Sequence, residues 1–508
     1  MSGRRFRMKK QGQATGSGSP LKKDLQKNLS DLKAVLGEPD DLVVRKFTLS
    51  GGDSGALVYL AGISDKDMIH NNILKNLQFL TLPEKGKKLG DVVYREVVSI
   101  TDVTEKQAFD EVMLAVLAGD TALLIDGTDT AVIMGTAAAE TRSIEQPPSE
   151  PLIRGPRDGF NESINTNLSL IRQEVRDENL RFKHHQIGRR ARKKLVVSYI
   201  EGIAHPDMVK EVNRRLESID IDFAPESGYI EQSIEDSFLS PFPQMLNTER
   251  PDRAIAHLME GKVIILLDGT PFVLIAPVTL ANTLQSPEDY YERWIVGTLI
   301  RVLRYLAVFL SLFLPSLYIA LVSYHPGMIP SDLAFSISAT REGVPFPSFI
   351  EAVLMGVTME LLREAGARLP TGIGQTIGIV GGLVIGEAAV GAGIVSPIMV
   401  IIVALTAIAS FTNPAYSVAI AFRMMRFGFM IAAAFLGLYG IVLLYIAINV
   451  HLVNLKSFGI PYTAPFSPSF PGAWKDLVLR APMSMMTRRP AYMWPADKKS
   501  GSSGRKQK

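Results

Sequence analysis

Between residues 295 and 455 the chain carries only 13 Asp, Glu, Lys or Arg in 161 positions, and no other feature restricts its fold so sharply. A stretch this long and this poor in charge reads as a set of membrane helices, each of which needs about 20 apolar residues to cross a bilayer. Residues 1–294, in contrast, have the composition of an ordinary soluble protein. The 508 residues therefore do not divide into three or four similar domains. The expected division is one half in water and one half in a membrane.

The net charge of +3 is an average over unlike pieces. Residues 1–23 hold seven Lys or Arg and no acid, and residues 456–508 hold ten bases against two acids, so both ends are basic and the body between them is acidic. Cysteine is absent. That excludes a disulfide scaffold, a thiol nucleophile and any thiolate metal or iron–sulfur site, and it suits an intracellular soluble part. The N-terminal residues have charge but no apolar core of a signal peptide, so the soluble half is expected to stay in the cytoplasm.

The soluble half repeats itself. Residues 56–77 match 196–217, pairing Gly62, Ile63, Asp67 and Met68 with Gly202, Ile203, Asp207 and Met208; residues 117–135 match 259–277, pairing Asp126, Gly127 and Thr128 with Asp268, Gly269 and Thr270. Two matches at nearly one offset indicate a duplication. Each copy reads as a strand, an Asp-bearing loop, a helix, and two apolar strands joined at an Asp-Gly turn. Leu25, Leu29, Leu32 and Leu36, ahead of Gly37, predict a first helix. The predicted fold class is an α/β soluble region of two duplicated subdomains, followed by an all-α polytopic membrane region. Its expected parts are a disordered basic arm (1–23), subdomain 1 (24–139), a linker with a charged helix carrying Leu168, Ile171, Val175 and Leu180 (140–194), subdomain 2 (195–290), a membrane region of four or five helices (294–455) and a basic C-terminal tail (456–508).

The first membrane helix covers 294–324, with Arg301 and Arg304 expected to snorkel to the cytoplasmic surface. Further apolar stretches cover about 348–369, 371–395, 397–422 and 427–453. Five full crossings would place the basic tail outside; four crossings plus one re-entrant or interfacial helix would place it inside, which the positive-inside tendency favours. The 348–369 helix contains Glu351, Glu360, Arg363, Glu364 and Arg368, charges that each cost about 2.5–3.5 kcal/mol at bilayer depth. They must line water, pair with one another, or lie at the interface.

Enzyme signatures are missing: there is no phosphate-binding loop, no HExxH zinc motif and no calcium loop. Gly52-Asp53-Ser54-Gly55 resembles a serine-protease nucleophile loop, but no histidine precedes it, and a turn before a strand explains it better. The adjacent His184 and His185 would point about 100° apart on a helix, which is poor for joint metal binding. No catalytic residue, metal site or cofactor is expected, and no nucleic-acid partner.

The informative motif is PTGIGQTIGIVGGLVIGEAAVGAGIVSP at 370–397. Gly374, Gly378, Gly382 and Gly386 recur every four residues and form a stripe along which another helix can pack closely, within one subunit or between subunits. Glu387 is the only ionisable group between Arg368 and Arg423. An isolated acid in an apolar span reads either as an ion or proton site or as half of a structural pair with a neighbouring helix. Together with Gln375, Glu351, Glu360, Arg363 and Glu364, it is a candidate lining for an ion path.

RGPRDGF at 154–160, REGVPFP at 341–347, the 370–397 motif, NPAY at 413–416 and FGIPYTAPFSP at 458–468 resemble, in that order, the A subunits of GerA-type spore germinant receptors and their A-like paralogues encoded with the SpoVA proteins. The resemblance implies a non-enzymatic membrane subunit of the spore inner membrane with a cytoplasmic N-terminal region. It implies a transporter-like B subunit and a lipoprotein C subunit as partners, besides other copies of itself and membrane lipids. It further implies oligomerisation into a nutrient-gated cation channel; an accessory channel without its own nutrient specificity, or a non-conducting scaffold, are the alternatives.

Overall fold

The computed structural model describes residues 20–37, 39–49, 52–77, 102–137, 146–369, 381–382 and 384–501. Two five-stranded sheets, antiparallel throughout, form the soluble half. The first contains β1 (Leu42–Thr48), β2 (Ser54–Leu60), β3 (Val103–Lys106), β4 (Thr121–Ile125) and β5 (Ala131–Met134), in the order β1-β2-β4-β5-β3. The second contains β6 (Leu180–Ile187), β7 (Lys193–Ile200), β8 (Leu246–Thr248), β9 (Val263–Leu267) and β10 (Val273–Ala276), in the equivalent order β6-β7-β9-β10-β8.

The duplication reaches further than the two sequence matches. Helix α1 (Leu25–Leu36) opens the first unit; α2 (Phe109–Ala118) packs on the same face of its sheet. Helix α3 (Ile164–Glu174) opens the second, followed by α4 (Pro206–Glu217), α5 (Ser227–Ile234) and α6 (Pro251–Met259). In both units the Asp of the Asp-Gly turn accepts a hydrogen bond from the first backbone N–H of the opening helix: Asp126 Oδ1 from Leu25 at 3.0 Å, and Asp268 Oδ1 from Ile164 at 3.3 Å. A carboxylate at a helix N-terminus satisfies a donor that has no partner within the helix.

That equivalence corrects the expected linker. Residues 164–174 and 180–187 are the opening helix and edge strand of the second unit, and Leu180 begins β6 rather than continuing a helix. The two units touch through buried Arg172, which bonds Asp41 Oδ2 at 2.8 Å, and through Ser169, whose hydroxyl donates to the Gly62 carbonyl.

The helical half follows with α7 (Trp294–Tyr324), α8 (Ser331–Arg341), α9 (Ser348–Arg368), a helix described over 384–391, α10 (Pro397–Ser410) and α11 (Tyr416–Asn454). The backbone of α11 leaves helical angles at Gly437, with φ 59° and ψ −139°. It folds back there. A Cβ on Gly428 would lie 3.5 Å from Leu444, and the Phe313 ring meets both Phe429 at 4.8 Å and Tyr445 at 5.9 Å. Residues 16 apart on a straight helix stand about 24 Å apart, so the element is a tight helical hairpin with Gly437 at its tip. Helix α11 runs unbroken through 423–426, between the expected stretches 397–422 and 427–453, and the chain leaves the helix instead at Asn413-Pro414, ahead of α11.

The base of this hairpin is built into the second sheet. Ala415, Val418, Ala421, Leu452 and Leu455 share one apolar cluster with Leu168, Val196, Leu258 and Ile264. The C-terminal segment is no loose tail. Ser457 Oγ donates to the Gln244 carbonyl at 2.6 Å, and Phe458, Ile460, Tyr492 and Met493 fill the other face of the second sheet. Of the expected N-terminal arm, residues 1–19 lie outside the described residues, and Leu21 is buried in the first core.

Candidate functional site

Contacts along the helices give each one a direction relative to the second sheet. Helix α7 leaves the sheet and ends at Tyr324, beside the hairpin tip Gly437. Ser348, at the start of α9, meets Ser323 at 2.8 Å, so α9 runs back toward the sheet. Gly381 lies against Leu362 and Gly393 against Gly343, so the 384–391 helix runs outward again. Helix α10 returns, from Ser396 beside Glu351 to Ser410 beside Arg363. With the two hairpin limbs, six passages are described, and the chain begins and ends the layer on the side of the sheets. The hairpin turn falls inside the expected 427–453 stretch, where no charged residue marks it in the sequence.

Most charges of the helical half are brought together. Glu360 on α9 accepts from Arg426 Nη2 at 2.8 Å and Arg423 Nη1 at 3.1 Å, both on the hairpin, and from Arg363 Nη1 at 3.2 Å. Arg363 Nη2 donates to Ser410 at 2.9 Å, and its guanidinium stacks 4.8 Å from the Phe411 ring centre. One carboxylate thus faces three guanidiniums, and the cluster binds α9, α10 and the hairpin into one body. Arg423 and Arg426 sit three apart, hence on one helix face.

Glu351 is fully buried. It pairs with Arg341 at 3.0 Å and accepts the Ser396 backbone N–H at 2.8 Å, which caps α10. Glu364 pairs with Arg368 on the exposed face of α9. Pairing, one of the three expectations for this charged helix, is present in the structure.

Arg301 and Arg304 do not snorkel. Both are buried on Asp289, itself fully buried: Arg301 Nε at 3.1 Å, Arg304 Nη1 at 2.8 Å and Nη2 at 2.9 Å. Arg301 also reaches Asp476 of the C-terminal segment at 2.8 Å, and Tyr290 donates to the same carboxylate at 2.7 Å. Burial pushes the Asp476 carboxyl up, against the pull of Arg301. A buried charge needs partners of this kind, because leaving one alone costs several kcal/mol. The root of α7, the second sheet and the C-terminal segment are therefore tied at one point.

Glu387, like Asp332 and Glu342, differs from the paired acids. It is exposed on the 384–391 helix and forms no ion pair with a described residue. Just over a turn earlier, Gly382 has no atom of a described residue within 4 Å of where a Cβ would stand, whereas Gly386 is buried against Val400 at 3.5 Å. Gly374, Gly378 and Gln375 lie outside the described residues. Among the described residues no cluster of His, Asp or Glu is arranged to hold a metal. Asp289, Asp476 and Arg341 carry no functional signal in the sequence, whereas the three-residue spacing of Arg423 and Arg426 is visible there.

The chain matches the family model described as Bacillus/Clostridium GerA spore germination protein over residues 30–492. Spore germination protein GerLA of Bacillus cereus is 50% identical over 478 residues, which cover 94% of this chain and 97% of that one. Spore germination protein B1 of Bacillus subtilis (strain 168) is 44% identical, with 93% and 98% covered, and the uncharacterized membrane protein YfkQ of the same strain is 43% identical, with 93% and 91% covered. The crystal structure of the N-terminal domain of the A subunit of the Bacillus megaterium spore germinant receptor GerK3 is 33% identical, covering 52% of this chain and 98% of that one at a TM-score of 0.41. The chain belongs to the Bacillus/Clostridium GerA family of spore germination proteins.

Proposed function

We propose that this chain is the A-type membrane subunit of a nutrient-responsive germinant receptor, and that several copies assemble into a cation-conducting path whose opening starts germination. It works in the spore inner membrane with its sheets on the cytoplasmic side, alongside a transporter-like B subunit and a lipoprotein C subunit, and it carries out no enzymatic step. One observation carries the conducting role: Glu387 stands exposed, with no ion pair to a described residue, on a stretch that otherwise has no charge. A carboxylate at membrane depth is tolerated where it faces water or a partner. Glu360 and Glu351 are committed to arginines and Glu364 to Arg368; of Asp332, Glu342 and Glu387, the acids of the helical half without an ion pair to a described residue, Glu387 is the one set in a long run with no other charge.

The open face at Gly382 supports a second copy as the neighbour, because small residues let backbones approach closely. Potassium release from vesicles holding the reconstituted receptor tests this. Glu387→Gln should slow triggered release by about tenfold, the factor that roughly 1.4 kcal/mol of lost cation stabilisation represents, and Gly382→Leu should disturb assembly. Unchanged release by Glu387→Gln would remove Glu387 from the path.

A further inference from the structure

We infer that the second soluble unit is itself a membrane-binding module: the turn Ser237–Ser240 drives Phe238 and Leu239 into the lipid leaflet nearest the sheets. The inference rests on reading the helical half as membrane-embedded.

The turn is closed by a hydrogen bond from the Ser240 N–H to the Ser237 carbonyl at 3.3 Å, which puts Phe238 and Leu239 at its two central positions. Gly, Asn, Asp and Pro normally occupy such positions. Here two large apolar side chains stand there, 82% and 81% exposed. Their exposure does not come from a loose loop. Fully buried Gln244 accepts the N–H groups of Asp236 and Ser237, each at 2.9 Å, and returns a bond to the Ser237 carbonyl at 2.6 Å. Asp236 Oδ2 accepts the Phe458 N–H at 2.6 Å. On the far flank Ser240 Oγ is 2.9 Å from His451 Nε2, and the Phe242 ring lies 6.2 Å from Phe422 and 6.3 Å from His451. The sheet and the hairpin hold the turn at its flanks and leave its tip free.

Depth decides what the tip meets. His451 is fourteen residues from the hairpin tip at Gly437, a rise of about 21 Å. The hydrocarbon core of a bilayer is about 30 Å thick. A membrane whose far boundary lies at the hairpin tip therefore reaches past His451, and with it past the turn bonded to His451. Phe411 and Tyr416, at the sheet-side ends of α10 and α11, are exposed as interfacial aromatic side chains are. Two adjacent apolar side chains at this level are lipid-facing, and a rigid turn presents them without an ordering cost.

The chain contains no cysteine, so single cysteines can be labelled in the full-length protein. Phe238→Cys and, independently, Leu239→Cys carry an environment-sensitive fluorophore in vesicles containing nitroxide-labelled lipid. Val442→Cys, on the exposed face of the hairpin, and Lys210→Cys, on α4, are the lipid and water references. The expected result is a blue-shifted emission at 238 and 239, quenched by a shallow nitroxide to at least half the extent seen at 442, with 210 unquenched. Water-like emission at 238 and 239 with lipid-like emission at 442 would overturn the wedge and leave the membrane reading intact. Water-like emission at 442 as well would overturn both. Blue-shifted emission without quenching, together with cross-linking between copies through these cysteines, would assign the turn to a subunit contact and overturn the lipid assignment.

Discussion

Glu231 shows how far a single carboxyl can be displaced by its surroundings. Burial, with Glu235 and Glu226 nearby, raises it to about 7 from an ordinary 4.5. A carboxyl whose folded-state value is raised is held protonated by the fold, so stability is greatest below the unfolded value and falls as pH climbs from about 4.5 to about 7. Glu231→Gln should therefore raise the melting temperature at pH 8 and leave it nearly unchanged at pH 4.5; thermal unfolding at the two pH values reads this directly. At this scale the sequence was only partly legible. Glu387 stood out because its isolation is a local property. The partners of Glu360, 63 and 66 residues further on, and the union of Arg301 with Asp289 and Asp476, could not be read from spacing, since they exist only once the helices are packed.

The helical hairpin depends on one residue. Gly437 adopts φ 59° and ψ −139°, a conformation closed to residues with a Cβ, and an added Cβ would also stand 3.1 Å from Tyr324. Gly437→Ala should cost about 1–3 kcal/mol, measured as a lowered unfolding temperature of the detergent-solubilised or vesicle-bound protein; an unchanged value would mean the turn is not held as described. The run 427–453 hides this turn because no charged residue marks the tip around Gly437, whereas Gly37 and the Asp-Gly turns of the sheets carry ordinary signals that are readable. The equivalence of helix 164–174 to 25–36 is hidden in the sequence, since it rests on one capping carboxylate in each unit, a contact across about a hundred residues that no short motif displays.

Across the whole molecule, the segregation of charge separated the two halves, and the repeat gave the soluble half its two units. What it could not give is how tightly the halves are joined. The hairpin base shares an apolar cluster with the second sheet, the C-terminal segment covers the opposite face of that sheet, and Asp476 meets Arg301 at the root of α7. Helices α7 and α11 are therefore both anchored to the second unit. The C-terminal segment returns to the second sheet, whose face it covers. The claim that these passages assemble around Glu387 to conduct cations is tested most directly by the ion selectivity of the reconstituted receptor, wild type against Glu387→Lys. The account predicts a wild-type current carried by potassium over chloride, and a marked loss of that preference, or of the current itself, on charge reversal. Equal conductance and equal selectivity in the two proteins would contradict it.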